Sequence, residues 1–416
     1  MWIHSAADVL SLLLKVFSIW FFITALLFWK KPKKYPTKAP RTRFACLIPA
    51  RNEEAVIADT VQSLLAQRYP RALYDVFVIP NNCTDHTQTA AAAAGAKILN
   101  CTHPVRCKGD ALRQAMDALQ DEGYDACCVF DADNHVHEGF LGAMNNAFCA
   151  GARVAKGALR AKNPYQSPVS GCYALYYSLF DRIFNPSRAN LGLSAKLVGT
   201  GFAVSREVIE VTGGWPTQTI AEDAEFSAIC AAMGERVAWV PEAVTYDEAP
   251  TAFKTSVTQR MRWSSGIMCA ARRRLGSVLA AITGSRPGLA VDSLLFLCAP
   301  AAQAISVLPM AERIVESVWN GRTDTLLLAA GLGLAVSGGA MLLLASWLAL
   351  TAGLRDRRIL KAVAFFPLFM ASWLPIQIVS LLRPARDWKP IRHGACPDWR
   401  RSGEEVRRLP RLGKSA

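Results

Sequence analysis

Two carboxylates one residue apart, Asp131 and Asp133, close the apolar run Ala126–Phe130. The run is short and continuously apolar, the pattern of a strand buried on both faces of a sheet. Alternation along an extended chain sends both carboxylates to the same side. Open α/β sheets bind ligands just beyond the carboxyl ends of their strands. Carboxylates this close raise each other's pKa unless a cation neutralises them. An oxygen-only pair suits Mg²⁺ or Mn²⁺, which is held by one or two carboxylates together with substrate phosphates. The plain alternative is a solvated turn after a strand.

Other elements must place that pair. Phe44–Pro49 reads as a strand, and Asn52 as the cap of a helix whose first turn holds Glu53 and Glu54. Val56, Ile57, Thr60, Val61, Leu64 and Leu65 follow at helical spacing. Tyr74–Pro80 is a second strand, Thr84 or Asp85 starts an alanine-rich helix ending at Gly95, and Ala96–Leu99 is a third strand. Lys108 opens the helix that leads into Ala126–Phe130. Such alternation builds the nucleotide-binding half of an open, mostly parallel α/β sheet with flanking helices.

Downstream, Gly199-Thr200-Gly201 can let backbone approach a ligand closely. Ala221–Glu225 begins a helix after the turn Gly213–Pro216, and Val237–Val240 is a strand. In the amphipathic stretch Gln259–Trp263, helical spacing puts Gln259, Arg262 and Trp263 on one face and turns Arg260 elsewhere. Trp offers a flat face to a sugar ring, and Arg and Gln bind diphosphate and hydroxyls. An interfacial helix lying on lipid is the competing reading, and it is the one that fits Arg272–Arg274. Tyr173, Tyr176 and Tyr177 read as packing residues, and Tyr246-Asp247-Glu248 carries no assigned role.

Taken in order, these motifs resemble the family 2 inverting glycosyltransferases with the GT-A fold. The Gln-x-x-Arg-Trp element is typical of that family's membrane-bound polysaccharide synthases, those making cellulose, chitin, hyaluronan and poly-N-acetylglucosamine. The likeness covers residues 44 to about 263 by motif. It implies a UDP-sugar donor bordered by Ala50, Arg51, Glu53, Asn81 and Lys108, with Asp131 on the ribose or metal and Asp133 on the metal. Gln259 and Arg262 would hold the diphosphate side. Gly199, Thr200, Gly201, Glu222 and Trp263 would face the acceptor, and Asp223 would be the general base. The chain departs from the family pattern at Asn81, where Asp is common, and at Ala221, where Thr is frequent.

Composition sets the frame. The 416 residues are 52% apolar with a net charge of +14, enough for one sizeable catalytic unit plus membrane segments. Residues 9–29 form an apolar stretch long enough to cross a bilayer, and the lysines and arginines from Lys30 to Arg43 put its far end in the cytoplasm. Apolar segments at about 288–311 and 326–352 read as full spans joined by an outside loop, Arg313–Asp324. The segment at about 361–382 carries Pro367 and Pro375 and reads as re-entrant or interfacial.

The expected organisation is an anchor (1–30), a basic linker (31–43), a cytoplasmic catalytic domain (44–250), interfacial helices (251–287), membrane segments (288–382) and a basic tail (383–416). Basic residues bunch beside apolar segments as membrane lipids require, and no nucleic-acid-binding motif accompanies them. Twelve cysteines without a Cys-x-x-Cys pair suggest reduced, buried thiols rather than a structural metal. The expected activity is metal-dependent inverting transfer of a hexose or N-acetylhexosamine to a growing β-linked glycan in the plasma membrane. The alternatives are transfer of a single sugar to a lipid-linked acceptor and a non-catalytic subunit of an export complex. With so few spans, a polymer pore would need an oligomer or an export partner.

Overall fold

The computed structural model describes residues 6–32 and 34–384. After helix α1 (Ala6–Ala25) come β1 (Phe44–Ala50), α2 (Ile57–Leu65), β2 (Tyr74–Pro80), α3 (Thr87–Ala93), β3 (Lys97–Ile98), α4 (Lys108–Ala118) and β4 (Ala126–Val129). These continue into β5 (His135–Val136), α5 (Phe140–Cys149), β6 (Val154–Ala161), α6 (Pro168–Leu179), a π-helical turn (Phe180–Phe184) and α7 (Asn185–Asn190). The sheet-bearing unit closes with β7 (Phe202–Ser205), α8 (Arg206–Val211), α9 (Glu222–Ala232) and β8 (Val237–Asp247).

The eight strands form one sheet in the order β3-β2-β1-β4-β7-β6-β8-β5. Its first half is parallel, as the βαβ alternation requires, whereas β7 runs antiparallel to both β4 and β6, making the whole sheet mixed. Phe44 pairs with both Tyr74 and Ala126, so β1, β2 and β4 are in step. That register brings Arg51, Asn81 and Asp131, each just past its strand, to one edge. Apolar side chains alternate into two cores. One holds Ile48, Val61, Phe130 and Phe140, and the other Leu47, Leu112, Phe202 and Trp215. Trp215 stacks on Phe226 at 4.0 Å between centroids, pinning α9 to the sheet.

Several local expectations are corrected. Asn52 caps no helix. It takes φ +58°, and its side-chain oxygen accepts from Thr84 N at 2.8 Å, tying two loops together before α2 begins at Ile57. The alanine-rich helix starts at Thr87, with Asp85 accepting from Thr87 N at 3.1 Å. The third strand shrinks to Lys97–Ile98, and β8 runs on to Asp247 past an irregularity opposite Gly157/Ala158.

A long helix, α10 (Phe253–Ala280), leads to α11 (Pro287–Ile305), α12 (Val307–Trp319), α13 (Thr323–Ala352), α14 (Ile359–Ala371) and α15 (Trp373–Leu382). Among the described residues, four helical stretches are long and apolar enough to cross a membrane: Asp8–Ala25, Pro287–Trp319, Thr323–Ala352 and Ile359–Leu382. The loop expected over Arg313–Asp324 is helical as far as Trp319. The proline-bearing last segment breaks at Ser372 and packs α14 on α6. Gly171 of α6 makes that approach possible, since a Cβ there would lie 2.5 Å from Ala362 Cβ. The basic tail from residue 385 on lies outside the described residues.

Polar side chains staple the C-terminal helices to one another, to α1 and to the helices that flank the sheet. Arg188 of α7, almost fully buried, makes a two-pronged ion pair with Asp292 of α11 at 2.9 and 3.1 Å. Asp292 also accepts from Trp20 Nε1 of α1 at 2.9 Å. Arg260, turned off the Gln259/Arg262/Trp263 face, donates to Phe369 O at 3.0 Å and Ser372 Oγ at 2.8 Å. Arg272–Arg274 does not simply lie on lipid. Arg274 reaches the fully buried Glu225 of α9 at 2.7 Å and Arg273 stands 3.8 Å from it, because a buried carboxylate requires a cation.

Candidate active site

One cavity opens beyond the carboxyl ends of β1, β2 and β4 and gathers most of the candidate residues. Arg51, Glu53, Asn81, Lys108, Asp131, Asp133, Gly199, Thr200, Glu222, Asp223, Gln259, Arg262 and Trp263 all border it. Ala50 and Gly201 do not. Ala50 is buried, and its carbonyl accepts from Asn81 N at 2.9 Å and Asn81 Nδ2 at 3.0 Å, so it supports the site through Asn81. Gly201 lies just before β7, donating to Val129 O at 2.9 Å, with φ +63° and no room for a Cβ against Thr245.

Asn134 organises the carboxylate turn. Its Oδ1 accepts from Asp131 N at 3.1 Å and from the Thr200 hydroxyl, and its Nδ2 donates to Asp247 at 3.0 Å. Asp131 N also donates to Thr200 Oγ1 at 3.1 Å. The turn is therefore locked to the Gly199–Gly201 loop. Gly199 is left-handed with φ +47°, and a Cβ there would press to 3.3 Å from Asp131 Oδ2.

Lys108, the first residue of α4, places its ammonium 2.5 Å from Asp131 Oδ1, 3.3 Å from Glu222 Oε1 and 2.5 Å from Gly199 O. Burial disfavours the ammonium, but the carboxylates of Asp131 and Glu222 outweigh it and hold Lys108 charged. Asp131 titrates above its ordinary range because it is buried and beside Asp133, although Lys108 opposes this. Burial pushes Glu222 up to about 7 against the pull of Lys108. Asp223 sits in the first turn of α9, and its Oδ2 accepts from Gly199 N at 2.5 Å.

From the other wall, α10 presents Gln259, Arg262 and Trp263. Gln259 Oε1 is buried without a hydrogen-bond partner, on a residue that borders the cavity. Trp263 stacks with Trp373 of α15 at 6.5 Å and 22°. Gly266 lets α10 approach α9, for a Cβ there would lie 2.6 Å from Ala221 Cβ.

Sequence reasoning missed several lining residues. Lys156 of β6, Asp181 of the π-helical turn, Lys196, Trp373 and Asp247 all border the cavity. Tyr176 and Tyr177 line it too, whereas Tyr173 packs inside against Phe369 and Ser256. Tyr177 donates to Asp247 at 3.0 Å. Burial lowers Lys196 to about 7, with its Nζ 3.4 Å from the Phe296 ring of α11, and lowers Lys156 to about 8. The available signal was a lysine inside an apolar strand, Val154-Ala155-Lys156.

The donor set at the strand ends suits a hard divalent ion. Asp131 and Asp133 supply oxygen alone, and among the described residues no third His, Cys, Asp or Glu completes a protein-only cage. The remaining positions fit phosphate oxygens.

Fold and site together define a glycosyltransferase domain of the GT-A class. Residues 40–266 match the glycosyltransferase-like family 2, and the chain belongs to that family. A probable glycosyltransferase of Bacillus subtilis, YdaM, is 28% identical over 233 residues, 54% of this chain and 55% of its own length. A β-monoglucosyldiacylglycerol synthase from Nostoc is 29% identical over 191 residues, 44% of this chain and 39% of its own. The chain thus spans about half the length of the curated relatives it matches, or less. The solved mannosyltransferase PcManGT from Pyrobaculum calidifontis, in complex with GDP-Man and Mn²⁺, shares the fold. Its TM-score is 0.63 at 19% identity, covering 91% of this chain and 98% of that one.

Proposed function

We propose that this protein transfers a hexose or N-acetylhexosamine from a UDP-sugar, with inversion, to an acceptor reached from the membrane. The observation that carries the reading is a single cavity. It joins Asp131 and Asp133 at a strand end, Asp223 at a helix start, and Trp263 and Trp373 from helices at the membrane side. Asp131 and Asp133 would hold Mg²⁺ or Mn²⁺, which offsets charge on the diphosphate leaving group when bound. Arg51, Glu53 and Asn81 border the nucleoside, and Lys108, Gln259 and Arg262 the diphosphate.

Asp223 takes the proton of the acceptor hydroxyl as its oxygen attacks the anomeric carbon. The bond to the diphosphate breaks on the opposite face and UDP leaves with the electron pair. Glu222 and the Gly199–Thr200 backbone position the acceptor, and the aromatic wall of Trp263 and Trp373 excludes water. The four apolar stretches support a multi-pass place in the cell membrane with this unit cytoplasmic.

A lipid acceptor is supported by the diacylglycerol-directed name of the Nostoc relative. Extension of a β-linked glycan is the second reading, favoured by the Gln-x-x-Arg-Trp face. The experiment is UDP release by the full chain in membranes against a panel of UDP-sugars, with product length read on a gel. One added sugar rejects the polymerising reading. Full turnover in excess EDTA rejects the metal, and no release with any donor rejects the enzyme.

A further inference from the structure

A second cavity, of about 1010 Å³, lies beside the catalytic one. The two share β6: Lys156, Gly157 and Leu159 border the catalytic cavity, and Ala158 and Arg160, with Lys162 just past the strand, the second. They also share Asp181 of the π-helical turn. None of the transfer chemistry uses the second one.

Its walls come from opposite kinds of element. On one side are the ends of two apolar helices, Phe28–Lys31 after α1 and Trp347–Leu354 at the close of α13. Phe28 and Trp347 meet edge to face at 5.5 Å, fixing the two ends together. Aromatic residues next to lysines at the ends of apolar spans mark the headgroup level of a bilayer. On the other side β6, the residue after it and the π-helical turn supply cations. Lys162 is nine-tenths buried and stands 3.9 Å from Asp59, while Arg160 and Arg182 flank Asp181.

Charge decides the class of ligand. Lys30, Lys31 and Lys34 on the rim make no ion pair among the described residues, and they add to the three inner cations. The acidic residues of the lining are fewer, and Glu138 is already held by Arg68 at 2.6 Å. A pocket with a cationic floor and an apolar, aromatic rim at headgroup level matches a phosphodiester carrying acyl chains. We propose that it binds the headgroup of an anionic glycerophospholipid, with the acyl chains lying along α1 and α13. The inference rests on the membrane reading of those two helices and not on sugar transfer, so the two can fail separately.

The test uses the full chain in vesicles of phosphatidylcholine with or without phosphatidylglycerol, extracted in mild detergent. Retained lipid is counted by native mass spectrometry. Wild type should keep phosphatidylglycerol in preference to phosphatidylcholine, and added inorganic phosphate should not displace it. Lys31→Gln/Lys34→Gln, at two exposed positions, and Arg160→Gln/Arg182→Gln should each lower retention about ten-fold or more. The exposed pair Arg355→Gln/Arg357→Gln should retain it fully. Unchanged retention in the rim variant, equal loss in the control pair, equal retention of phosphatidylcholine, or displacement by phosphate would each overturn the site. The rim variant leaves the buried groups intact, so misfolding of the inner variant cannot decide the matter.

Discussion

Lys108 Nζ lies 2.5 Å from Asp131 and 3.3 Å from Glu222, one ammonium bridging the carboxylate proposed for metal and the neighbour of the proposed base. In Lys108→Ala that competition for Asp131 disappears. Mn²⁺ in the absence of nucleotide should bind several-fold tighter, while UDP should bind about ten-fold weaker for want of a cation. Titration followed by electron paramagnetic resonance of free Mn²⁺, with and without UDP, reads both signs. Two changes in the same direction would reject the placement.

Asp223→Asn keeps the size of the side chain and removes its basicity. Turnover should fall by about 10²–10⁴, as for loss of a general base. UDP affinity should stay within a few-fold of wild type, because Asp223 is not assigned to the donor. Normal turnover would end its assignment as base.

Gly266 is the contact point at which α10 rides over the start of α9. Gly266→Val forces the two helices apart, an overpacking that should cost about 1–3 kcal/mol. It should also displace Arg262 and Trp263 from the cavity. The expected result is a lower melting temperature with a larger loss of kcat than of UDP affinity.

The Arg188–Asp292 pair is buried and shared with Trp20. Asp292→Ala strands a buried guanidinium and should destabilise the protein by about 3–5 kcal/mol. Arg188→Met/Asp292→Leu, which removes both charges, should recover much of that loss. Thermal unfolding in detergent distinguishes them.

Glu222 titrates near 7 in the folded protein, against about 4.5 when unfolded. Because its folded value is raised, its contribution to stability is full below the unfolded pKa and is lost as pH rises through about 7. Glu222→Gln escapes that loss. At pH 4 or below the variant and wild type should melt alike, and by pH 8 the variant should be the more stable, by on the order of 3 kcal/mol. Melting curves at the two pH values check the sign.

Much of this site was legible in the residues alone. The strand of Ala126–Val129, its carboxylates, the helix start at Lys108 and the shared face of Gln259, Arg262 and Trp263 follow from periodicities of two and 3.6. These are local rules that any stretch of chain carries with it. Long apolar runs likewise announced three of the four candidate spans, because length against bilayer thickness is a property of the segment, whereas Ile359–Leu382, read as re-entrant or interfacial for its prolines, is also long and apolar enough to cross.

What could not be read was convergence between distant elements. Lys156, Asp181, Lys196 and Trp373 meet in the cavity because of the sheet order and the break at Ser372, and no spacing along the chain encodes that meeting. Asn52 was misjudged for the same reason, since its partner, Thr84, is 32 residues away. Arg260 and Arg188 were silent as anchors until their carbonyl and carboxylate partners arrived from the long apolar helices. The sequence by itself determined which elements form and which faces they offer. Only the tertiary structure decided which charges share a low-dielectric space, because that depends on long-range packing rather than on local pattern.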